Sequence, residues 1–209
     1  MRDDEIWICT RLMAGDAMPF VNNLYEADAQ AYVDTLKRNS RGKAPPAENF
    51  PTEIYAEYKD GPRYGRLPDL CNASGYLVSQ KVADVFATVE MGKTALHSTK
   101  AFQADRRTPV PGTYYCLAFG EIKDAFVPDM SSPKIQQIDN TEPPVWLPPY
   151  VKRDGDIAVR AAALTGPELW MDPNIHSSFF VSGGLAKALI DAGLKKDFRL
   201  TRCRLIHDM

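Results

Sequence analysis

A ten-residue pattern occurs twice in this chain, about a hundred residues apart, and it restricts the architecture more than any other feature. Ser74, Tyr76, Val78, Ser79 and Ala83 fall opposite Ser177, Phe179, Val181, Ser182 and Ala186, so both stretches read Ser-x-aromatic-x-Val-Ser-x-x-apolar-Ala. A serine after an apolar run suits a helix N-cap, where its hydroxyl accepts from a free amide of the first turn. Val82, Val85, Phe86 and Val89 then recur at helical spacing in the first copy, and Leu185, Ala188, Leu189 and Ala192 in the second. Gly92 and Gly193 follow as C-terminal glycines. Strands are expected over residues 94–102 and 198–206, and a one-residue shift sets Leu96–Phe102 beside Leu200–Ile206. Each copy is thus a turn, a helix and a strand, spanning 74–102 and 177–206.

The rest of the chain alternates short apolar runs with breakers. Residues 5–12 read as an early strand with one buried face. Residues 22–37 read as one helix, with Asn22 or Asn23 as N-cap and Glu26 as its capping partner. Residues 39–50 form a solvated connector, residues 53–58 a short strand, and residues 59–69 a loop whose glycines and prolines forbid a helix interior. Residues 113–119 are a strand, while the alanine-rich 157–164 fits strand or helix equally. Residues 128–149 carry six prolines, and long segments of that texture are functional or disordered. Leu169–Met171 is a very short strand. Helices and strands mixed without regular βαβ alternation indicate an α+β fold, with a mixed, largely antiparallel sheet and a few packed helices. The expected division is an N-terminal half, 1–112, and a C-terminal half, 113–209, fused as one globular unit.

At 209 residues the chain can bury a substantial core. Its formal charge of −2, from 25 basic and 27 acidic residues, lacks the footprint that non-specific phosphate binding needs, so no direct nucleic-acid contact is expected. The acidic start MRDDEIWICT is unlike a signal peptide, and no apolar run approaches a membrane span, which makes the cytoplasm the expected compartment and a membrane no partner. Cys9, Cys71, Cys116 and Cys203 form no C-x-x-C pair and are expected as buried thiols.

Chemistry is sparse. His97, His176 and His207 have no metal-pair spacing, so neither metal nor cofactor is expected. No nucleophile elbow, phosphate loop or dinucleotide fingerprint occurs. The triplet Gly92-Lys93-Thr94 follows a helix instead of preceding one, and Ser182-Gly183-Gly184 is read as a cap before an anion site. No catalytic residue is assigned, and the chain is read as a non-enzyme. Trp170 is expected to anchor its strand onto the second repeat helix. Trp146, beside Val145, Leu147 and Tyr150, is either a lid folded onto the core or an exposed interaction anchor.

Leu169-Trp170-x-Asp172-Pro173, then Ser178-Phe179-Phe180-Val181-Ser182, Leu185-x-x-Ala188-Leu189 and Ala192-Gly193-Leu194 before a terminal strand, resembles the C-terminal signature of immunity family eleven of bacterial polymorphic toxin systems. The likeness covers roughly residues 164–206 and departs at Gly183-Gly184, where larger polar residues are usual. It implies a protein that neutralises a cognate secreted toxin, encoded beside it, by direct binding. The candidate surfaces are the loop 139–150 and the exposed ends of the two repeat helices; the loop is preferred, with Asp139, Glu142, Trp146 and Tyr150 as the expected toxin-binding residues, and a homodimer is left open. Trp170, Asp172, Pro173, Phe179, Val181, Ser182, Leu185 and Gly193 are the expected structural motif. Two other readings stay open: an enzyme assembled from Asp172, His176 and Arg160, and an adaptor of a secretion apparatus.

Overall fold

A computed structural model describes residues 4–12, 17–138, 140–149 and 153–207. The strands are β1 (Ile6–Cys9), β2 (Ala17–Met18), β3 (Phe20–Asn22), β4 (Glu53–Ala56), β5 (Leu70–Ala73), β6 (Tyr76–Ser79), β7 (Ala95–Phe102), β8 (Tyr114–Ala118), β9 (Gln136–Ile138), β10 (Val145–Leu147), β11 (Ala158–Arg160), β12 (Leu169–Met171), β13 (Phe179–Ser182), β14 (Thr201–Arg202) and β15 (Arg204–Ile206). The helices are α1 (Asn23–Ala27), α2 (Ala29–Asn39), α3 (Gln80–Phe86), α4 (Gly183–Asp191) and α5 (Lys195–Phe198). The fold is α+β. One sheet has seven strands in the order β2-β5-β6-β8-β7-β4-β3; a second has four, β12-β13-β1-β14; β9 and β10 pair as a hairpin, and β11 pairs in parallel with β15.

Three apolar clusters organise these layers. The central one joins Trp7, Val78, Val82, Phe86, Leu169, Val181, Leu185 and Leu189, so α3 and α4 are packed together between the two sheets. A second, around Ile54, Leu77, Ala101 and Cys116, covers the other face of the seven-stranded sheet. A third, around Ile8, Phe126, Val159, Trp170 and Phe180, covers the other face of the four-stranded sheet. Each fully buried large apolar side chain contributes about 1.5–3 kcal/mol, which makes these shared layers the main source of cohesion.

The sheets do not divide at residue 112. β1 lies between β13 and β14, pairing Ile6 with Ser182 and Trp7 with Arg202, so the first strand belongs with the C-terminal elements. β8 in turn sits inside the seven-stranded sheet. β1 is buried on both faces, not one: Trp7 and Cys9 enter the central cluster, and Ile6 and Ile8 the third.

Local chemistry explains the other departures. The helix expected over 22–37 is broken at Asp28, whose carboxylate accepts from the Ala31 amide and caps α2, while Asn22 caps α1 by accepting from the Tyr25 amide. Glu26 makes no capping box; it pairs with Arg106 instead. α3 ends at Phe86, so Gly92 (φ +57°) belongs to the following turn and is not its C-cap. Gly193 (φ +76°) does close α4. The strand expected over 198–206 begins later. Residues 195–198 are helical, which places Phe198 against Phe86 and Phe179 at ring-centre distances of 6.3 and 6.1 Å. Residues 128–149 carry a 3-10 turn and the β9–β10 hairpin. The four cysteines are buried, and none of them is in a disulfide.

Candidate protein-docking cleft

The turn after α2, the β9–β10 hairpin and the segments at residues 122 and 173 meet at a cleft of about 480 Å³ lined by Arg41, Lys43, Ile122, Asn140, Thr141, Glu142, Pro143, Val145 and Pro173. One wall is the turn that follows α2. Asn39 is fully buried; its Nδ2 donates to the Leu117 carbonyl (2.9 Å) and its Oδ1 accepts from the Phe119 amide (2.7 Å), which ties the end of α2 to β8. The Ala44 amide donates to the Phe119 carbonyl at 2.8 Å. Between them Gly42 has φ +67°, and a Cβ there would lie 2.7 Å from the Glu121 carbonyl oxygen, so only glycine brings Arg41 and Lys43 this close to residues 121–122.

The opposite wall is the β9–β10 hairpin, with Val145 facing Ile138 and Leu147 facing Gln136. Thr141 Oγ1 donates to the Ile138 carbonyl and accepts from the Val145 amide, both at 3.0 Å, bracing the turn. Trp146 anchors the hairpin. Its amide donates to the Asn174 carbonyl and its carbonyl accepts from the His176 amide, each at 2.8 Å, and its half-buried ring sits 6.5 Å from Phe126.

Beneath the hairpin lies Asp172, only 2% exposed. Its Oδ2 accepts from the Ala125 and Phe126 amides at 2.8 Å, and its Oδ1 from the Asn174 amide at 2.9 Å. Burial raises its pKa above the ordinary carboxylate value, against the opposing pull of those three N–H groups. The floor is Ile122, which is 45% exposed and bridges to Met171. Next to it Lys123 turns inward, donating to the Ala163 and Pro167 carbonyls at 2.9 and 2.8 Å with its ammonium 3.9 Å from the Trp170 ring centre. Burial lowers its pKa to about 8.

The expected binding residues separate. Glu142 is exposed on the rim of the cleft. Trp146 is half-buried against the third cluster, where it acts as a lid. Asp139 and Tyr150 lie outside the described residues. Arg41, Lys43, Ile122 and Pro173 join the cleft only through long-range pairing, and the basic turn Arg41-Gly42-Lys43 was the one local signal for them. Trp170 does not face α4: Leu169 and Met171 do, while alternation along β12 sends Trp170 to the third cluster, stacked on Phe180 at 5.9 Å. Its neighbour Pro173 lines the cleft. Phe179, Val181 and Leu185 pack in the central cluster, and Ser182 Oγ accepts from the Leu185 amide at 3.0 Å, so the Gly183-Gly184 start of α4 is capped.

Of the three residues of the enzyme alternative, Asp172 accepts from three backbone amides, and Arg160 and His176 are exposed. Among the described residues no three His, Cys, Asp or Glu side chains are grouped to hold a metal ion, and no helix is long and apolar enough to cross a membrane. No family model matches the chain, and no curated protein matches it.

Proposed function

We propose that this chain is an immunity protein that neutralises a cognate secreted bacterial toxin by direct binding in the cytoplasm, with the cleft at Ile122 as its docking face. The support from sequence is the likeness of residues 164–206 to immunity family eleven. The observation that carries the docking face is the exposed Ile122 held between two braced walls. Ile122, Pro143, Val145 and Pro173 supply an apolar centre, and Arg41, Lys43 and Glu142 a charged rim, the arrangement that protein interfaces use to combine desolvation with orientation. Hydrogen bonds brace both walls, which limits the conformational entropy lost on association.

The test is growth. Cells expressing the toxin domain encoded beside this gene are expected to be rescued by the intact chain and not by Ile122→Asp. Failure of the intact protein to rescue, with both proteins produced, would overturn the reading.

A further inference from the structure

We infer that the whole chain is two copies of one seven-strand unit, and that the slot between β13 and β14 is a strand-binding site whose ligand is the chain's own extended apolar segment Ile6–Cys9. The first unit is residues 17–119; the second is residues 120–207 completed by β1, which stands where β8 stands in the first.

A single alignment matches each of the six strand pairings of the seven-stranded sheet to a pairing in the second unit, where β14 and β15 together stand for β7 and Ile122 and Phe126 pair through single bridges. β2 pairs with β5 in parallel through Ala17 and Asn72, and Ile122 bridges Met171 in parallel. Leu70 faces Val78 as Leu169 faces Val181, both antiparallel. Ser79 faces Tyr114 as Ser182 faces Ile6. Ser98 faces Tyr115 as Arg202 faces Trp7. Ile54 lies in parallel beside Ala101 as Val159 lies beside Leu205. Asn22 faces Ile54 as Phe126 faces Val159, antiparallel again.

Two independent details agree with that alignment. The matched serines Ser74 and Ser177 both take left-handed backbone, at φ +54° and +49°, a conformation uncommon outside glycine. Ser79 donates through its hydroxyl to the Asp69 carboxylate (2.6 Å) and through its amide to the Asp69 carbonyl (3.0 Å). Ser182 repeats this with Glu168 at 2.6 and 2.9 Å. Asp69 and Glu168 each immediately precede the matched strands β5 and β12.

The units differ where the cleft forms. Between β3 and β4 the first unit inserts α1, α2 and the basic turn; between residue 126 and β11 the second inserts the β9–β10 hairpin. In the first unit β7 runs directly into β8 through the eleven residues 103–113. Residues 207–209 and 1–5 supply eight, so three added glycines give the second unit the same connection.

The test is a circular permutant containing every residue: residue 209 is joined to residue 1 through three glycines and the chain is opened between Met13 and Ala14. A control permutant carries the same joint and is opened between Gly61 and Pro62. The first is expected to unfold in one transition within about 5 °C of the parent, with the amides of residues 6–9 as protected from exchange as in the parent. The inference is overturned if that permutant fails to fold whether or not the control folds, because the joint should be tolerated as residues 103–113 are. It is equally overturned if the permutant folds with residues 6–9 unprotected.

Discussion

Replacing Asp172 by alanine should loosen the support beneath the hairpin at a cost that follows from its contacts. Its carboxylate accepts from three backbone amides, those of Ala125, Phe126 and Asn174, in a site where water has no access. A buried donor left without its acceptor costs roughly 1 kcal/mol or more, so the three together give about 3 kcal/mol. For a chain of this size that corresponds to a fall in Tm of roughly 6–12 °C. Asp172→Asn keeps one acceptor oxygen and should lose about half as much. Urea denaturation at pH 7 measures both values, and amide exchange at Ala125 and Phe126 locates the damage. The same site sets a pH dependence. Burial raises the folded pKa above the ordinary 3.8, so between those two values the native state holds more proton than the unfolded one. Stability therefore falls as pH rises through that window and is level above it. Asp172→Asn should remove that slope. A loss below about 1 kcal/mol for the alanine variant, or an unchanged slope in the asparagine variant, would refute the role given to this carboxylate.

Three further predictions concern separate parts of the molecule. Ser182→Ala removes an N-cap that Leu185 uses and should cost about 1 kcal/mol in urea unfolding, whereas Ser79 caps no amide, so Ser79→Ala should act only through its contact with Asp69. Lys123 has a folded pKa lowered from 10.5 to about 8, so the unfolded state binds more proton between those values. Stability should rise with pH across that interval and the rise should vanish in Lys123→Met, as read from urea midpoints. Ile122→Asp should leave Tm within about 2 °C of the parent, because the side chain is 45% exposed, yet weaken toxin binding by about 2 kcal/mol, or roughly 30-fold in Kd by calorimetry.

Features governed by near neighbours were legible in the sequence. The caps at Asn22 and Ser182, the left-handed Gly193, the strand β7 and the α+β class all follow from local spacing and turn chemistry. What was hidden depends on pairing across the chain. Ile6–Cys9 shows four apolar residues, but its burial on both faces reflects insertion between β13 and β14, which are some 170 residues away or more. Asp28 had the chemistry of a second N-cap inside an otherwise helical window, and the apolar spacing masked it. Phe198 alternates as a strand residue would, yet its burial between Phe86 and Phe179 favours the helical turn. The cleft was half visible: Glu142 came from the hairpin segment, while Arg41, Lys43 and Ile122 reach it from the other unit and from the segment between the sheets.

The most direct measurement of the proposed function is the elution mass of this purified chain mixed with the purified toxin domain encoded beside it, read by size-exclusion chromatography with light scattering. The account predicts a stoichiometric complex formed by the intact protein and lost in the double variant Lys43→Glu, Ile122→Asp. Two separately eluting proteins, or a complex indifferent to that double variant, would contradict it.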